Sequence, residues 1–257
     1  MGTAAGILQN LASAAIWEVG RRSWLRLSRH KYTRVFGSDA SGGRLYIAVG
    51  ALAPPPVVDA NNNRMIHIFP KTGLPGHLFS ASQVISNCEV RAAKYLVESV
   101  AVNAGNWSVI ATDEEIKDQR DLSFVSIGLM SNLKTIQLLE NTSNSLVRCD
   151  ASRFVSKASG RLLVRNLEER PNEDHGLILK INPSNLPERT WICCAGLDEW
   201  GTSGAAWYLA RRWRELRSRF GKKPFATIVR VHRRQDESAE AVVMGTTPEE
   251  IDRFARE

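Results

Sequence analysis

Cysteine is scarce in this 257-residue sequence, and none of the four cysteines stands in the C-x-x-C spacing of a zinc site. Cys193 and Cys194 are neighbours in an apolar run that predicts a buried strand. The five histidines form no metal-spaced pair. We therefore predict no metal site, no cofactor and no disulfide framework. Reduced cysteines are typical of a cytoplasmic protein.

A long apolar run is also missing. The longest apolar window, over 7–19, is interrupted by Gln9, Asn10 and Glu18, and a membrane-spanning helix needs about 20 apolar residues. The first residues lack the basic stretch of a secretory signal peptide. We therefore expect no membrane span and a cytoplasmic location.

Several signature motifs of enzymes and nucleotide-binding proteins are absent. The sequence has no G-x-G-x-x-G after a predicted strand, no P-loop and no G-x-S-x-G elbow. No histidine lies near a serine or cysteine in a recognisable catalytic arrangement. Any site must therefore be found from the pattern of strands and loops.

Positive charge is concentrated in two segments of a chain whose formal net charge is +7. Residues 205–235 contain ten Lys or Arg and one acid, and residues 1–40 contain six and two. Such segments suit an anionic partner, which would be nucleic acid, an anionic membrane surface or another protein. The alternative for the arginines is the solvated face of a core helix.

The order of apolar runs and amphipathic stretches predicts an α/β fold with a Rossmann-like, mainly parallel sheet flanked by helices. We expect strands at 44–50, 107–111, 123–128 and 190–195 in one sheet, with helices 82–102 and 202–220 packed on it. Residues 41–257 would form this domain. Short β-like pieces predict a small β-rich insertion or extension around 145–182.

Residues 1–40 are predicted as an N-terminal helical arm. Apolar residues recur at helical spacing over 6–30, among arginines, which predicts an amphipathic helix. The apolar face of this helix has to be buried against another surface. We expect it to pack on its own domain or to contact a second copy or a partner protein, and a membrane surface is the remaining option.

Three predicted strands end at a glycine, namely Gly50, Gly128 and Gly196. Ligands of open α/β sheets bind at the carboxyl ends of the strands, where such loops lie. Amides and hydroxyls in these loops and at the following helix starts would hold phosphate or ribose oxygens. The candidate ligand-binding residues are Gly50, Gly128, Ser131, Asn132, Gly196, Gly201, Thr202 and Ser203.

Glu89 is the first of three candidate catalytic acids. It falls inside the apolar stripe of the helix predicted over 82–102, between Ile85 and Ala92. A carboxylate on an inward face is costly unless it is paired, hydrogen-bonded or facing a cleft. The structural alternative to a catalytic role is an ion pair, for example with Arg91.

Asp198 and Glu199 are the other two candidate catalytic acids. They follow a buried strand and precede a helix that Thr202 or Ser203 would cap. Because that cap needs only one hydroxyl, we expect at least one of the two acids to face a cleft. Trp200 would form one wall of the cleft or pack beneath the loop.

Three pieces of the sequence resemble segments of uncharacterised prokaryotic Rossmann-like proteins; they are SFVSIGLMSN, HGLILKI and TWICCAGLDEWGTSGAAWYLA. That group is similar to the TIR and SLOG domains, which bind or cleave nucleotides in defence and signalling systems. TIR domains carry a helical glutamate after a Ser, Trp, Cys pattern, and here Ser86, Asn87 and Cys88 precede Glu89 without the tryptophan. The resemblance implies a nucleotide-like ligand.

Two functions follow from these observations. In the first, the chain binds or processes a nucleotide, and its acids hydrogen-bond the sugar or stabilise the transition state of N-glycosidic bond cleavage. In the second, it is a non-catalytic scaffold of a larger complex that makes contacts through its basic helix and N-terminal helix. Convergence of Glu89, Ser131 and Asp198 on one pocket would favour the first.

Overall fold

The computed structural model describes residues 27–52, 85–150, 152–166 and 168–255, together with the backbone of three short strands between 53 and 84. The helices are α1 (27–36), α2 (Asp39–Gly42), α3 (Asn87–Ala104), α4 (Leu133–Glu140), α5 (Glu199–Phe220) and α6 (Pro248–Asp252). The strands are β1 (Leu45–Val49), β2 (Val57–Val58), β3 (Arg64–His67), β4 (Leu78–Phe79), β5 (Val109–Thr112), β6 (Ser123–Ile127), β7 (Val147–Asp150), β8 (Arg153–Ser156), β9 (Leu162–Arg165), β10 (Glu173–Ile181), β11 (Trp191–Gly196), β12 (Phe225–His232) and β13 (Gln235–Gly245).

Seven strands form one mixed sheet in the order β13-β12-β10-β11-β6-β1-β5. The four strands predicted from the sequence, β1, β5, β6 and β11, are adjacent and parallel, as expected. The other half is antiparallel, so the prediction of a mainly parallel sheet holds for one half only. A parallel pair needs a long crossover, whereas β12 and β13 are joined by Arg233 and Arg234 alone.

Both faces of the sheet are covered, so the central strands are buried on both sides. Helices α1, α3 and α5 pack on one face, and α4, α6 and the small sheet of β7, β8 and β9 cover the other. Cys193 faces the second of these cores and Cys194 the first, as alternation along a strand requires. The adjacent cysteines are therefore core residues, and both are free thiols.

The stretch around 145–182 belongs to two sheets. Strands β7, β8 and β9 form the separate antiparallel sheet, whereas β10 lies between β11 and β12 in the main one. Strand β10 takes this place because Leu177, Ile178 and Leu179 are fully buried and alternate between the two cores. The local sequence pattern of β10 is like that of β7, β8 and β9. Burial of β10 on both faces is what distinguishes it from those three strands.

The predicted helix over 6–30 lies mostly outside the described residues, and only 27–30 belong to α1. From there α1 reaches the core through Tyr32 and Phe36, whose rings stack 4.2 Å apart. Among the helices that the structure describes, none is long and apolar enough to cross a membrane.

Candidate functional site at the carboxyl edge of the sheet

The carboxyl ends of β1, β6 and β11 meet at one edge of the sheet, because these strands are parallel and adjacent. Gly50, Gly128 and Gly196 lie at these ends, and α3, α4 and α5 begin at the same edge. A cleft of about 350 Å³ opens there. Its described lining residues are Leu52, Ser86, Cys88, Glu89, Gly128, Leu129, Met130, Ser131, Gly196, Leu197, Asp198, Glu199 and Thr202.

All three candidate catalytic acids line this cleft, as do four of the eight candidate ligand-binding residues. Gly50, Asn132, Gly201 and Ser203 are not among the lining residues. They lie immediately behind it, where their polar groups bond to other parts of the chain. The loops that the sequence analysis singled out thus come together in space.

Glu89 lies at the bottom of the cleft with only 2% of its surface exposed. Its Oε2 accepts a hydrogen bond of 2.8 Å from the Gly50 amide, and its Oε1 accepts one of 3.3 Å from the Ser131 hydroxyl. No Lys or Arg of the described residues forms an ion pair with it. Arg91, the partner considered from the sequence, instead lies against Asp236 and donates to Ser203.

Burial without a compensating cation raises the pKa of Glu89 to about 7, from an ordinary value of 4.5. The hydrogen bonds from Gly50 and Ser131 lower the pKa, and the nearby charge of Asp113 raises it, but burial has the largest effect. A carboxyl group with this pKa exchanges its proton near neutral pH. It can therefore act as a general acid or a general base.

Gly128 makes room for Glu89. Its backbone has φ +98°, and a Cβ atom there would lie 2.7 Å from Glu89 Oε1 and 2.8 Å from Ser131 Oγ. Any larger residue would displace the carboxyl group and adopt a strained backbone. The glycine after β6 is thus required by the site geometry as well as by the turn.

Asn132 and Ser131, two of the candidate ligand-binding residues, have different positions at the start of α4. Asn132 is buried and caps the helix, since its Oδ1 accepts from the amides of Lys134 and Thr135. Its Nδ2 donates to carbonyls at the ends of β1 and β6. Ser131 instead faces the cleft and Glu89.

Asp198 and Glu199 stand at the start of α5, where the prediction of the helix start was wrong. Asp198 caps the helix, with its Oδ1 accepting from the Glu199 amide, so the helix begins three residues before Thr202. An extended Asp198 with a short acceptor side chain suits this position. Thr202 accepts from the Gly196 amide instead, and Ser203 donates to Asp236.

Both of these acids line the cleft and are exposed at its rim. Asp198 Oδ2 accepts a 2.7 Å hydrogen bond from Arg233, which neutralises part of its charge. Trp200 is not among the lining residues; it packs against the core between the sheet and α5, under the Arg91 guanidinium, which lies 4.3 Å from the ring centre. Of the two places expected for Trp200, the wall of the cleft is therefore wrong.

Sequence reasoning missed two buried acids at this edge. Asp113 follows β5 and accepts from the amides of Ala51 and Leu133, both at 2.8 Å. Asp174, at the start of β10, accepts from the Gly201 amide, and burial raises its pKa. The position of Asp113 just after a predicted strand could have indicated it. Asp174 has no such local signal, because its position at this edge depends on β10 lying in the main sheet.

Cys88 is a further lining residue that the sequence analysis did not select. Its Sγ lies 3.1 Å from the Ser86 hydroxyl, and burial raises its pKa, so it stays a thiol at neutral pH. No group of His, Cys, Asp and Glu in the described ranges is arranged to hold a metal ion.

The chain matches no model of a known protein family and none of the curated proteins with which it was compared.

Proposed function

We propose that the cleft at the carboxyl edge binds a nucleotide-like small molecule and that the fold acts as a Rossmann-like support for it. The observation that carries this proposal is the convergence of Glu89, Ser131 and Asp198 on one cleft. Glu89 lies in the first turn of α3, Ser131 in the loop before α4, and Asp198 at the start of α5, so three separate parts of the chain meet at this cavity. The position of the cleft agrees with that of ligands in open α/β sheets.

Cleavage of an N-glycosidic bond is the chemistry that we propose for this site. The bond between the sugar and the base nitrogen breaks, the base leaves with the electron pair, and water adds to the sugar carbon. Glu89 would donate a proton to the leaving nitrogen and recover one from the attacking water. Asp198 and Glu199 would stabilise the positive charge that develops on the sugar.

The proposed setting is a prokaryotic defence or signalling system in the cytoplasm. It is supported by the resemblance of three sequence pieces to proteins of that kind and by the reduced cysteines. No cofactor enters the proposal, because water is the only other reactant.

A native mass measurement of the purified protein, followed by incubation with nucleosides and nucleotides, tests this function. We expect a retained small molecule, or release of a free base that chromatography detects. Glu89→Gln should slow base release by at least about 100-fold, the usual contribution of a general acid. A protein that neither retains nor cleaves any member of the panel would contradict the proposal.

Asp198→Asn and Glu199→Gln serve as the second pair of variants. We expect each to weaken ligand binding or base release while the free energy of unfolding changes by less than about 0.5 kcal/mol, because asparagine caps helices as well as aspartate does. Unchanged ligand behaviour in both variants would reduce this loop to a structural role.

A scaffold function is the second candidate, and the exposed basic face of α5 favours it. Arg211, Arg212 and Arg214 are exposed on this helix, and Arg211 pairs with Glu98. If this face binds nucleic acid or acidic vesicles, the affinity should fall steeply as salt rises. Absence of such binding would leave the arginines as solvated surface. The predicted contact through residues 6–30, with a partner or a second copy, remains part of this proposal.

A further inference from the structure

The glycine amides that would ordinarily hold a phosphate at this edge are already bonded within the chain. Free amides at strand ends and helix starts are what makes such an edge an anion site. Here each predicted glycine amide has an internal acceptor: Gly50 bonds to Glu89 Oε2, Gly128 to the Cys194 carbonyl, Gly196 to Thr202 Oγ1 and Gly201 to Asp174 Oδ2.

The first turn of α4 is occupied in the same way. Leu133 donates to Asp113 Oδ2, and the amides of Lys134 and Thr135 donate to Asn132 Oδ1. Ile136 donates to the Asn132 carbonyl, which completes the turn. The helix therefore has no amide left for an anion, and a buried carboxylate already takes the place that a phosphate oxygen would fill.

The charge of the cleft also opposes a phosphate. Its described lining residues include Glu89, Asp198 and Glu199 and contain no Lys, Arg or His. Arg233 bonds to Asp198 at the rim of the cleft, and Arg91 pairs with Asp236 and donates to Ser203. A phosphate placed here would meet three carboxyl groups and no cation among these lining residues.

The same groups suit a ligand that carries hydroxyls and no negative charge. Carboxylates at the rim accept hydrogen bonds from a vicinal diol, and Ser131 and Thr202 add hydroxyls. Leu52, Leu129 and Met130 line the cleft with apolar surface for a flat ring. The volume of about 350 Å³ is at the lower end of small-molecule sites.

We infer that the cleft takes an uncharged nucleoside, through its ribose hydroxyls and its base, and discriminates against the 5′-phosphorylated form. This inference rests on the proposed function and restricts its ligand class. Glu89 at the bottom of the cleft and the carboxylates at its rim select the sugar. The glycine amides and the first turn of α4 are already bonded within the chain and offer no site to the phosphate.

Calorimetric titration with adenosine, guanosine, cytidine, uridine and their four 5′-monophosphates tests the inference. At 20 mM salt, at least one nucleoside should bind about 10-fold or more tightly than its monophosphate. Raising the salt to 300 mM should narrow this gap, because salt screens the repulsion between phosphate and carboxylates. In a site that binds phosphate through cations or amides, the salt dependence would be reversed, and the affinity for the monophosphate would fall as salt rises.

Charge variants sharpen the test. Glu199→Gln should raise the affinity for the monophosphate relative to the nucleoside by about 3-fold or more. The control is Glu98→Gln on α3, which makes the same charge change away from the cleft. It should leave the ratio of the two affinities unaltered. A monophosphate that binds as tightly as its nucleoside, or more tightly, overturns the inference and leaves the proposed function standing. Failure of all eight compounds to bind overturns both.

Discussion

Two buried carboxylates lie at opposite edges of the same sheet, Asp39 at the amino edge and Glu89 at the carboxyl edge. Asp39 is 1% exposed and Glu89 is 2% exposed. Asp39 lies 2.9 Å from Arg189 and 3.1 Å from Arg44, and it accepts from the Ser123 hydroxyl. Glu89 has one amide and one hydroxyl as donors, and no Lys or Arg of the described residues forms an ion pair with it.

The difference separates a structural carboxylate from one that is available for chemistry. Two cations offset the charge of Asp39, and its bonds connect α2 to the starts of β6 and β11. Glu89 is buried at equal depth without a cation, and its pKa is raised to about 7. Depth of burial alone therefore does not tell a structural carboxylate from a functional one. The absence of a compensating positive charge does.

The largest effect on stability should come from the structural member of the pair. Asp39→Asn removes the charge that compensates Arg189 in a partly desolvated site, and we expect the free energy of unfolding to fall by about 3 kcal/mol. Chemical denaturation measures this. The matched control is Asp121→Asn, because Asp121 also bonds to Arg189 but is 71% exposed. Its cost should stay below about 1 kcal/mol, and equal losses in the two variants would contradict the assignment of Asp39.

A comparable effect should appear at Glu89, but only as a function of pH. Its folded pKa of about 7 exceeds the ordinary 4.5, so the folded state holds the proton more tightly than the unfolded state. The resulting stabilisation is complete below pH 4.5 and is lost as pH rises through 7, by up to about 3 kcal/mol. Glu89→Gln lacks this dependence.

Denaturation of both proteins between pH 4 and 8 measures this dependence. The stability of Glu89→Gln relative to the unsubstituted protein should increase between pH 4.5 and about 7 and level off on either side. A difference that stays flat from pH 4.5 to pH 8 would show that Glu89 titrates as an ordinary carboxylate.

A smaller effect should distinguish the glycine beside Glu89 from a glycine in open space. Gly128→Ala combines a positive φ with contact against Glu89 and Ser131, and we expect a cost of about 2 kcal/mol. Gly221→Ala is the control, since Gly221 has φ +62° and no atom within 4 Å of an added Cβ. It should cost about 1 kcal/mol, the backbone effect alone. Equal costs would mean that Glu89 moves away freely.

Much of the parallel half of the fold could be predicted from the sequence. Strands β1, β6 and β11 are mostly apolar runs followed or ended by glycine, and β6 and β11 directly precede helices; such signals are local. The antiparallel half was harder, because β10 lies in a β-rich stretch and its place depends on packing against both cores. The connection between β12 and β13 contains no Asn-Gly or Asp-Gly signal, and Arg234 itself adopts φ +68°.

The candidate site was predictable only where an unusual residue marked it. Glu89 stood out as an acid inside an apolar stripe. Asp113 and Asp174 did not, because the amides of Ala51, Leu133 and Gly201, which donate to them at this edge, lie 20 to 62 residues away in the chain. The hydrogen bonds that occupy the glycine amides are also tertiary contacts. The loop pattern alone therefore predicts a phosphate site and contains no sign that these amides are taken.

The most direct test of the account is a carbon-13 NMR titration of the glutamate carboxyl groups between pH 3 and 9, with Glu89→Gln identifying the Glu89 signal. We predict a midpoint near pH 7 for Glu89 and a change in its signal when the nucleoside that binds most tightly is added. A midpoint near 4.5, with no response to any nucleoside, would contradict the claim that this buried carboxyl group serves a ligand-binding cleft.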